Sequence, residues 1–133
     1  MFGLLAGKRP KYLGVKEGKL AKCSSKPNSV SSQADTPYHK IDPIPFSGSA
    51  NEAIAKIAGA VKDFGRTEIV QQDSNYLYAE FTSGLMGYVD DVEFYADEAA
   101  KVVHLRSSSR LGYSDMGANR KRIEAIRSTL GSI

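Results

Sequence analysis

The chain has 133 residues, of which 41% are hydrophobic and 25% are charged, and its net charge is +3. This length suits one domain with its own hydrophobic core, and the composition is that of a folded protein, which argues against a disordered chain. The small net charge does not indicate nucleic-acid binding, for which a denser basic stripe with interleaved aromatic residues is typical, and we expect none.

The sequence contains few residues that could form a metal site, a disulfide or a membrane-spanning segment. Cys23 is the single cysteine, so no disulfide can form within the chain, which fits a reducing compartment such as the cytoplasm. His39 and His104 lie far apart without metal-ligand spacing, so we expect no metal site and no cofactor. No stretch approaches the roughly 20 apolar residues that span a bilayer. The apolar opening, residues 1–6, either covers an edge of the core or makes a peripheral membrane contact.

Residues 1–48 show little hydrophobic periodicity, and prolines at positions 27, 37, 43 and 45 interrupt regular structure. We predict an extended N-terminal segment that wraps the domain surface, since long structureless loops are unusual inside compact domains. Residues 49–133 then form the core of the same single domain.

The first helix follows a capping box, in which Ser49 is the N-cap and Glu52 reaches back to it. Apolar residues recur at helical spacing up to Phe64, and Gly65 stands where a left-handed C-terminal cap is expected. Four strands are predicted next by alternating polarity and turn signals: Thr67–Gln72, Tyr76–Thr82, Tyr88–Tyr95 and Lys101–Ser107.

The last helix is predicted from about Asp115 to Leu130, with Ser114 or Asp115 as its cap and Met116 beginning its apolar stripe. Because each helix has one apolar face, both are expected on the same face of the sheet. The predicted fold class is therefore α+β, a four-stranded antiparallel meander with two helices on one face and the N-terminal segment wrapped around it.

Two polar residues break the inside-outside pattern of these elements. Asp90 shares the parity of Val92 and Phe94 and so points toward the helices, unless a bulge separates it from Asp91. Asn119 falls within the apolar stripe of the last helix, where burial without hydrogen bonds costs about 1–3 kcal/mol.

The segment from Arg106 to Asp115 brings two arginines and four serines to the start of the last helix. Helix N-termini and arginines both attract anions. One interpretation is a site for an anionic small molecule; the other is a structural network of ion pairs. The candidate residues for either interpretation are Asp90, Arg106, Arg110, Asp115, Asn119 and Arg120. In the structural network the three arginines would pair with Asp90, Asp91 and Asp115.

Two surfaces could receive a partner. Tyr76 and Tyr78 lie on the sheet face opposite the helices, which either the N-terminal segment or a partner protein covers. Leu85 and Met86 occupy a hairpin tip between glycines, which folds back over the core or contacts a partner or membrane surface.

Catalytic chemistry is weakly indicated. The lysines around Cys23 could lower its pKa, with His39 as the base nearest in sequence, but a strand histidine such as His104 is typically a surface residue. We therefore name no catalytic residues and favour a non-catalytic binding or assembly protein that acts with a protein partner or a membrane-peripheral complex. A binder of anionic ligands through Arg106, Arg110 and Arg120 is the alternative, and a cofactor-independent enzyme using Asp90 or His104 is a third.

Several motifs in order resemble one known family, from about Lys19 to Leu130. They are residues 23–33, 76–81, 89–94, 106–112 and 115–122. This combination is similar to the domain-of-unknown-function family 1499, and its short form resembles cyanobacterial and plastid members. The resemblance implies no activity. We expect a cytoplasmic or plastid-stromal location, at which the protein could contact a membrane peripherally. Relatives often carry a second cysteine near Asn28, where this chain has Ser29, so a two-thiol role of that loop is absent here.

Overall fold

The computed structural model describes residues 6–84 and 86–133 and is an α+β fold with an antiparallel sheet and two helices. The elements are β1 (Ser29–Ser31), β2 (Ile44–Pro45), α1 (Ala50–Phe64), β3 (Thr67–Gln72), β4 (Tyr76–Thr82), β5 (Val89–Asp97), β6 (Val102–Ser109) and α2 (Ala118–Leu130). The sheet order is β1-β6-β5-β4-β3, and β2 pairs with the other end of β6. The predicted α+β class, with an antiparallel sheet and two helices, is confirmed.

The sheet has six strands rather than four, because the segment before residue 49 contributes β1 and β2. These strands contain three and two residues, so they are too short to show an alternating pattern in sequence. The pairing of β5 with β6 is continuous at Asp90 and Asp91, so no bulge separates them. The irregular register lies instead in β3, between Ile69 and Gln71.

Helix α1 begins as predicted. The Ser49 hydroxyl accepts a hydrogen bond from the Glu52 N–H, and the Glu52 carboxylate accepts one from the Ser49 N–H. Phe64 is not part of the buried stripe: it is 44% exposed and packs edge-on against Phe81. Gly65 has a positive φ but an extended ψ, so the predicted left-handed cap is wrong in detail.

Helix α2 begins three residues later than predicted. The Asp115 carboxylate accepts hydrogen bonds from the N–H groups of Gly117 (2.8 Å) and Asn119 (3.2 Å), so it caps the helix from outside. Met116 and Gly117, which lie between Asp115 and the first residue of the helix, both have a positive φ and are therefore not helical. Met116 is 88% exposed, so its assignment to the apolar stripe was wrong; Ile123 and Ile126 form the buried part.

The two sheet faces differ in what covers them. Both helices pack on one face, where the main hydrophobic core also includes Leu77, Phe94 and Leu105. On the opposite face, Leu20 packs with the buried Tyr76 and Tyr78 as a second small cluster, joined by four partly buried neighbours: Leu13, Val15, Val70 and Tyr95. Part of the N-terminal segment therefore lies on this face, the first of the two alternatives that the sequence left open.

Candidate functional site

Asp90 and Asn119 meet on the helix side of the sheet through Arg122. The Arg122 guanidinium donates to Asp90 Oδ2 (2.6 Å) and to Asn119 Oδ1 (2.7 Å), and it lies over the Phe81 ring. The Ser107 hydroxyl also donates to Asn119 Oδ1 (2.6 Å). Asn119 is completely buried, so the polar residue in the apolar stripe has its hydrogen bonds satisfied inside the protein.

The amide nitrogen of Asn119 completes this network on its other side. It donates to Asp115 Oδ2 (2.8 Å), to the Ser109 hydroxyl (3.0 Å) and to the Asn28 carbonyl oxygen (3.1 Å). The Asn28 side chain in turn donates to the Gly112 carbonyl. One buried side chain thereby joins α2, β6 and the segment before β1. We call these residues the Asn119 network.

Arg110 belongs to a second network, on the opposite face of the sheet. Its guanidinium donates to both carboxylate oxygens of Asp91 (2.9 Å each) and to Glu80 (2.6 Å). Burial alone would lower the pKa of Arg110, but these bonds outweigh burial and raise it. Arg9 of the N-terminal segment donates to the same Glu80 oxygen (2.7 Å), so the segment is tied to this ion pair.

Glu93 and Arg106, directly opposite each other on β5 and β6, lie beneath the N-terminal segment. One Glu93 oxygen accepts hydrogen bonds from the Tyr76 hydroxyl and the Gly14 N–H (2.8 Å). Burial raises the pKa of the Glu93 carboxyl, whose second oxygen has no partner among the described residues. Arg106 stacks on the Tyr12 ring, which also belongs to the segment.

The three arginines of the proposed anion site do not converge. Arg106 and Arg110 lie on the face that the N-terminal segment covers, whereas Arg120 is on α2, on the other side of the sheet. Arg120 donates to the backbone carbonyls of Lys40 (2.9 Å) and Tyr38 (3.1 Å). Of the ion pairs that the sequence suggested for these arginines, Arg110 with Asp91 is formed. Arg122, the partner of Asp90, was not among the six candidates, because its place on the flank of the stripe does not reveal which strand it reaches.

The candidate bases are engaged in structural hydrogen bonds. His39 Nε2 donates to the Lys26 carbonyl oxygen (3.0 Å), which can only accept, and Nδ1 is hydrogen-bonded to the Thr36 hydroxyl (2.7 Å). Cys23 and His39 line the same cavity of about 520 Å³. His104 Nδ1 is bonded to the Ser32 hydroxyl, and burial lowers the pKa of His104.

An exposed apolar surface surrounds Met116, between two cavities. A cavity of about 380 Å³ is lined by Pro27, Tyr38 and Met116, and another of about 290 Å³ by Tyr88, Leu111 and Met116. Tyr38 is 65% exposed and Met116 88%. We call the five residues Pro27, Tyr38, Tyr88, Leu111 and Met116 the Met116 surface. Sequence reasoning missed it because Met116 was placed inside the helix stripe.

The predicted partner contacts have different outcomes. Tyr76 and Tyr78 are buried under the N-terminal segment, so a partner does not reach them in this structure. Met86 is 54% exposed, while Leu85 lies outside the described residues. Within residues 6–84 and 86–133, no helix is long and apolar enough to cross a membrane. Across the same ranges, no three His, Cys, Asp or Glu side chains are grouped so as to hold a metal ion.

The fold and these networks define a small α+β protein in which a six-stranded sheet carries two helices on one face and its own N-terminal segment on the other. The chain belongs to the DUF1499 family, described as proteins of unknown function, whose family model matches residues 19–130. No curated protein sequence matches the chain significantly. The match includes the whole Asn119 network and Glu80, Asp91 and Arg110 of the second network, but it does not include Arg9 or the other residues before Lys19 that cover the open face.

Proposed function

We propose that this protein is a non-catalytic binding protein that holds an extended segment of a partner protein at the Met116 surface. The observation that carries the proposal is the exposure of Met116 and Tyr38 on the rim of one cavity. Large apolar side chains in solvent beside a cavity are typical of interaction sites, because covering them releases their unfavourable contact with water.

The edge of the sheet supports an extended segment as the occupant. β1 ends the sheet: the Asn28 carbonyl accepts from the Ser109 N–H of β6, and the Ser32 N–H donates to the Leu105 carbonyl. The outer side of β1 is bonded to residues 39–41 at Ser31, so the open part of this edge is at Ser29. Since such bonds alternate along an antiparallel pair, the Ser29 N–H and C=O point away from β6. Ser29 and Val30 line the same cavity as Met116, so a peptide there could add backbone hydrogen bonds to its apolar contacts.

The Asn119 network gives this surface a rigid base. Asp115, directly before Met116, is held by bonds to Asn119 and Gly117, and Asn119 is bonded to the segment just before β1. A surface that is ordered before binding loses less conformational entropy when a partner docks. On this proposal the buried polar residues act by positioning the surface rather than by contacting a ligand.

The test is a selection from a displayed random-peptide library against the purified protein, followed by calorimetric titration of the best peptide into variants. We expect Met116→Ser and Tyr38→Ser each to weaken binding by at least ten-fold, as for central interface residues. Tyr113→Ser is the matched control, because Tyr113 is 69% exposed but lines neither of these two cavities.

Two results would overturn the proposal. One is a selected peptide whose affinity is unchanged by both Met116→Ser and Tyr38→Ser. The other is a peptide that loses affinity with Met86→Ser instead, which would place the binding surface at the hairpin tip between β4 and β5.

A further inference from the structure

The charged residues are distributed very unevenly along the chain. Seven of the 18 basic residues but one of the 15 acidic residues lie between residues 6 and 26. This stretch therefore carries a charge of +6, although the whole protein carries +3, and the remainder carries −3. Such an asymmetry indicates a surface that attracts a negatively charged partner.

All seven basic residues are exposed: Lys8, Arg9, Lys11, Lys16, Lys19, Lys22 and Lys26. The backbone that carries them lies over the sheet face opposite the helices, since Gly14 bonds to Glu93 and the Lys22 carbonyl to Arg106. We call these seven residues the basic face. Leu13 and Leu20 of the same stretch pack against the sheet, whereas the lysine side chains are exposed to solvent.

The segment is held down at several separate points. Arg110 donates to the Ala6 carbonyl (3.5 Å), Arg106 stacks on Tyr12 (4.6 Å from guanidinium carbon to ring centre), and the Leu20 N–H donates to the Gln33 side chain (2.9 Å). Leu13 and Leu20 pack against the buried tyrosines of β4. The positive charges are thus spread over one surface of a folded domain rather than along a free tail.

We propose that the basic face binds the surface of a bilayer containing anionic lipids. Lysines next to such a surface each contribute by attraction to the negative headgroups, and no shaped recess is needed because the lipid headgroups are mobile. The sequence adds Phe2, Leu4 and Leu5 directly before this stretch, and stable attachment requires an apolar contribution as well as a basic patch. This combination favours a lipid surface over single-stranded nucleic acid, whose bases typically stack on aromatic side chains, because Tyr12 in this stretch is already stacked on Arg106.

The test is flotation of the full chain with vesicles of phosphatidylcholine alone and of phosphatidylcholine mixed with phosphatidylglycerol. We expect binding to the mixed vesicles that weakens as salt is added and little binding to the neutral ones. The triple variant Lys16→Gln/Lys19→Gln/Lys22→Gln should reduce partitioning by about five-fold per lysine, roughly 100-fold in total.

The matched control is Lys56→Gln/Lys62→Gln/Lys121→Gln, which removes the same charge from exposed lysines on the two helices. It should change partitioning by less than about three-fold. Equal losses in the two triple variants would overturn the proposal, because net charge and not the basic face would then control binding. Tighter binding to duplex DNA, transfer RNA or polyglutamate than to vesicles at the same salt concentration would also overturn it.

This proposal is independent of the Met116 surface. Met116→Ser and Tyr38→Ser should bind the mixed vesicles as the unaltered protein does, and the lysine variants should bind the selected peptide normally. The failure of one proposal is therefore distinguishable from the failure of the other.

Discussion

Replacing Asn119 by alanine tests whether the Asn119 network stabilises the fold. The substitution keeps the helix and removes an amide that is completely buried. Five side-chain hydrogen bonds are lost, to these groups: Ser107, Arg122, Asn28, Ser109 and Asp115.

The magnitude follows from what each partner retains. Arg122 keeps its bond to Asp90, and Asp115 keeps the bonds from the backbone N–H groups of Gly117 and Asn119. The Asn28 carbonyl keeps the bond from the Ser109 N–H. A net contribution of about 1 kcal/mol per hydrogen bond, reduced by these surviving contacts and by the better helix propensity of alanine, gives a loss of about 3 kcal/mol. That is a large part of the roughly 5–15 kcal/mol by which such domains are stable.

Urea unfolding followed by circular dichroism measures this free energy. Asn51→Ala on the exposed side of α1 is the control and should change stability by less than about 0.5 kcal/mol. Asn119→Asp should lose at least as much as Asn119→Ala at neutral pH, because its new carboxylate oxygen faces the acceptors Asp115 and Asn28. A loss below 1 kcal/mol for Asn119→Ala would refute the claim that the network stabilises the fold.

Three further predictions concern the opposite face and the helix start. The stability of Glu93→Gln relative to the unaltered protein should increase as pH rises above 4.5, the ordinary pKa of the carboxyl group. Burial raises the pKa of Glu93 in the folded state, so the unaltered protein loses stability as this carboxyl ionises. Unfolding free energies of the two proteins that differ by a constant amount at every pH would contradict this. Arg110→Ala should cost about 3–5 kcal/mol because it leaves the buried Asp91 carboxylate without its ion-pair partner, whereas Arg9→Ala, which removes a half-exposed partner of Glu80 while Arg110 remains, should cost less than about 1 kcal/mol; similar urea midpoints for the two variants would refute it. At Met116, whose φ is positive, valine should lower thermal stability by about 1 kcal/mol and glycine should not, since the side chain makes few contacts; the reverse order would show that packing and not backbone conformation controls this position.

The features that could be predicted are those whose cause is local in sequence. The start of α1 depends on Ser49 and Glu52, which are neighbours, and the parity of β5 places Asp90 on the helix side without knowledge of its partner. Asn119 was correctly identified as buried and polar, because helical spacing alone puts it between apolar residues.

The features that could not be predicted depend on contacts between distant segments. Arg122 is three residues from Asn119 in the chain, but its ion pair with Asp90 depends on how α2 lies across the sheet. β1 contains two serines that are buried by pairing with β6, so no apolar pattern marks it. The late start of α2 arises from the positive φ values of Met116 and Gly117, which Asp115 alone does not indicate.

The N-terminal segment also reverses the sign of the surface that it covers. Beneath it, β4 and β5 present Glu80, Asp91 and Glu93, whereas seven of the eight exposed charged residues between positions 6 and 26 are basic, Glu17 being the exception. A processed form beginning at Pro27 would carry −3 rather than +3. It would therefore bind to an anion-exchange column at neutral pH, where the full chain flows through, and cleavage before Pro27 would remove the basic residues that attract anions.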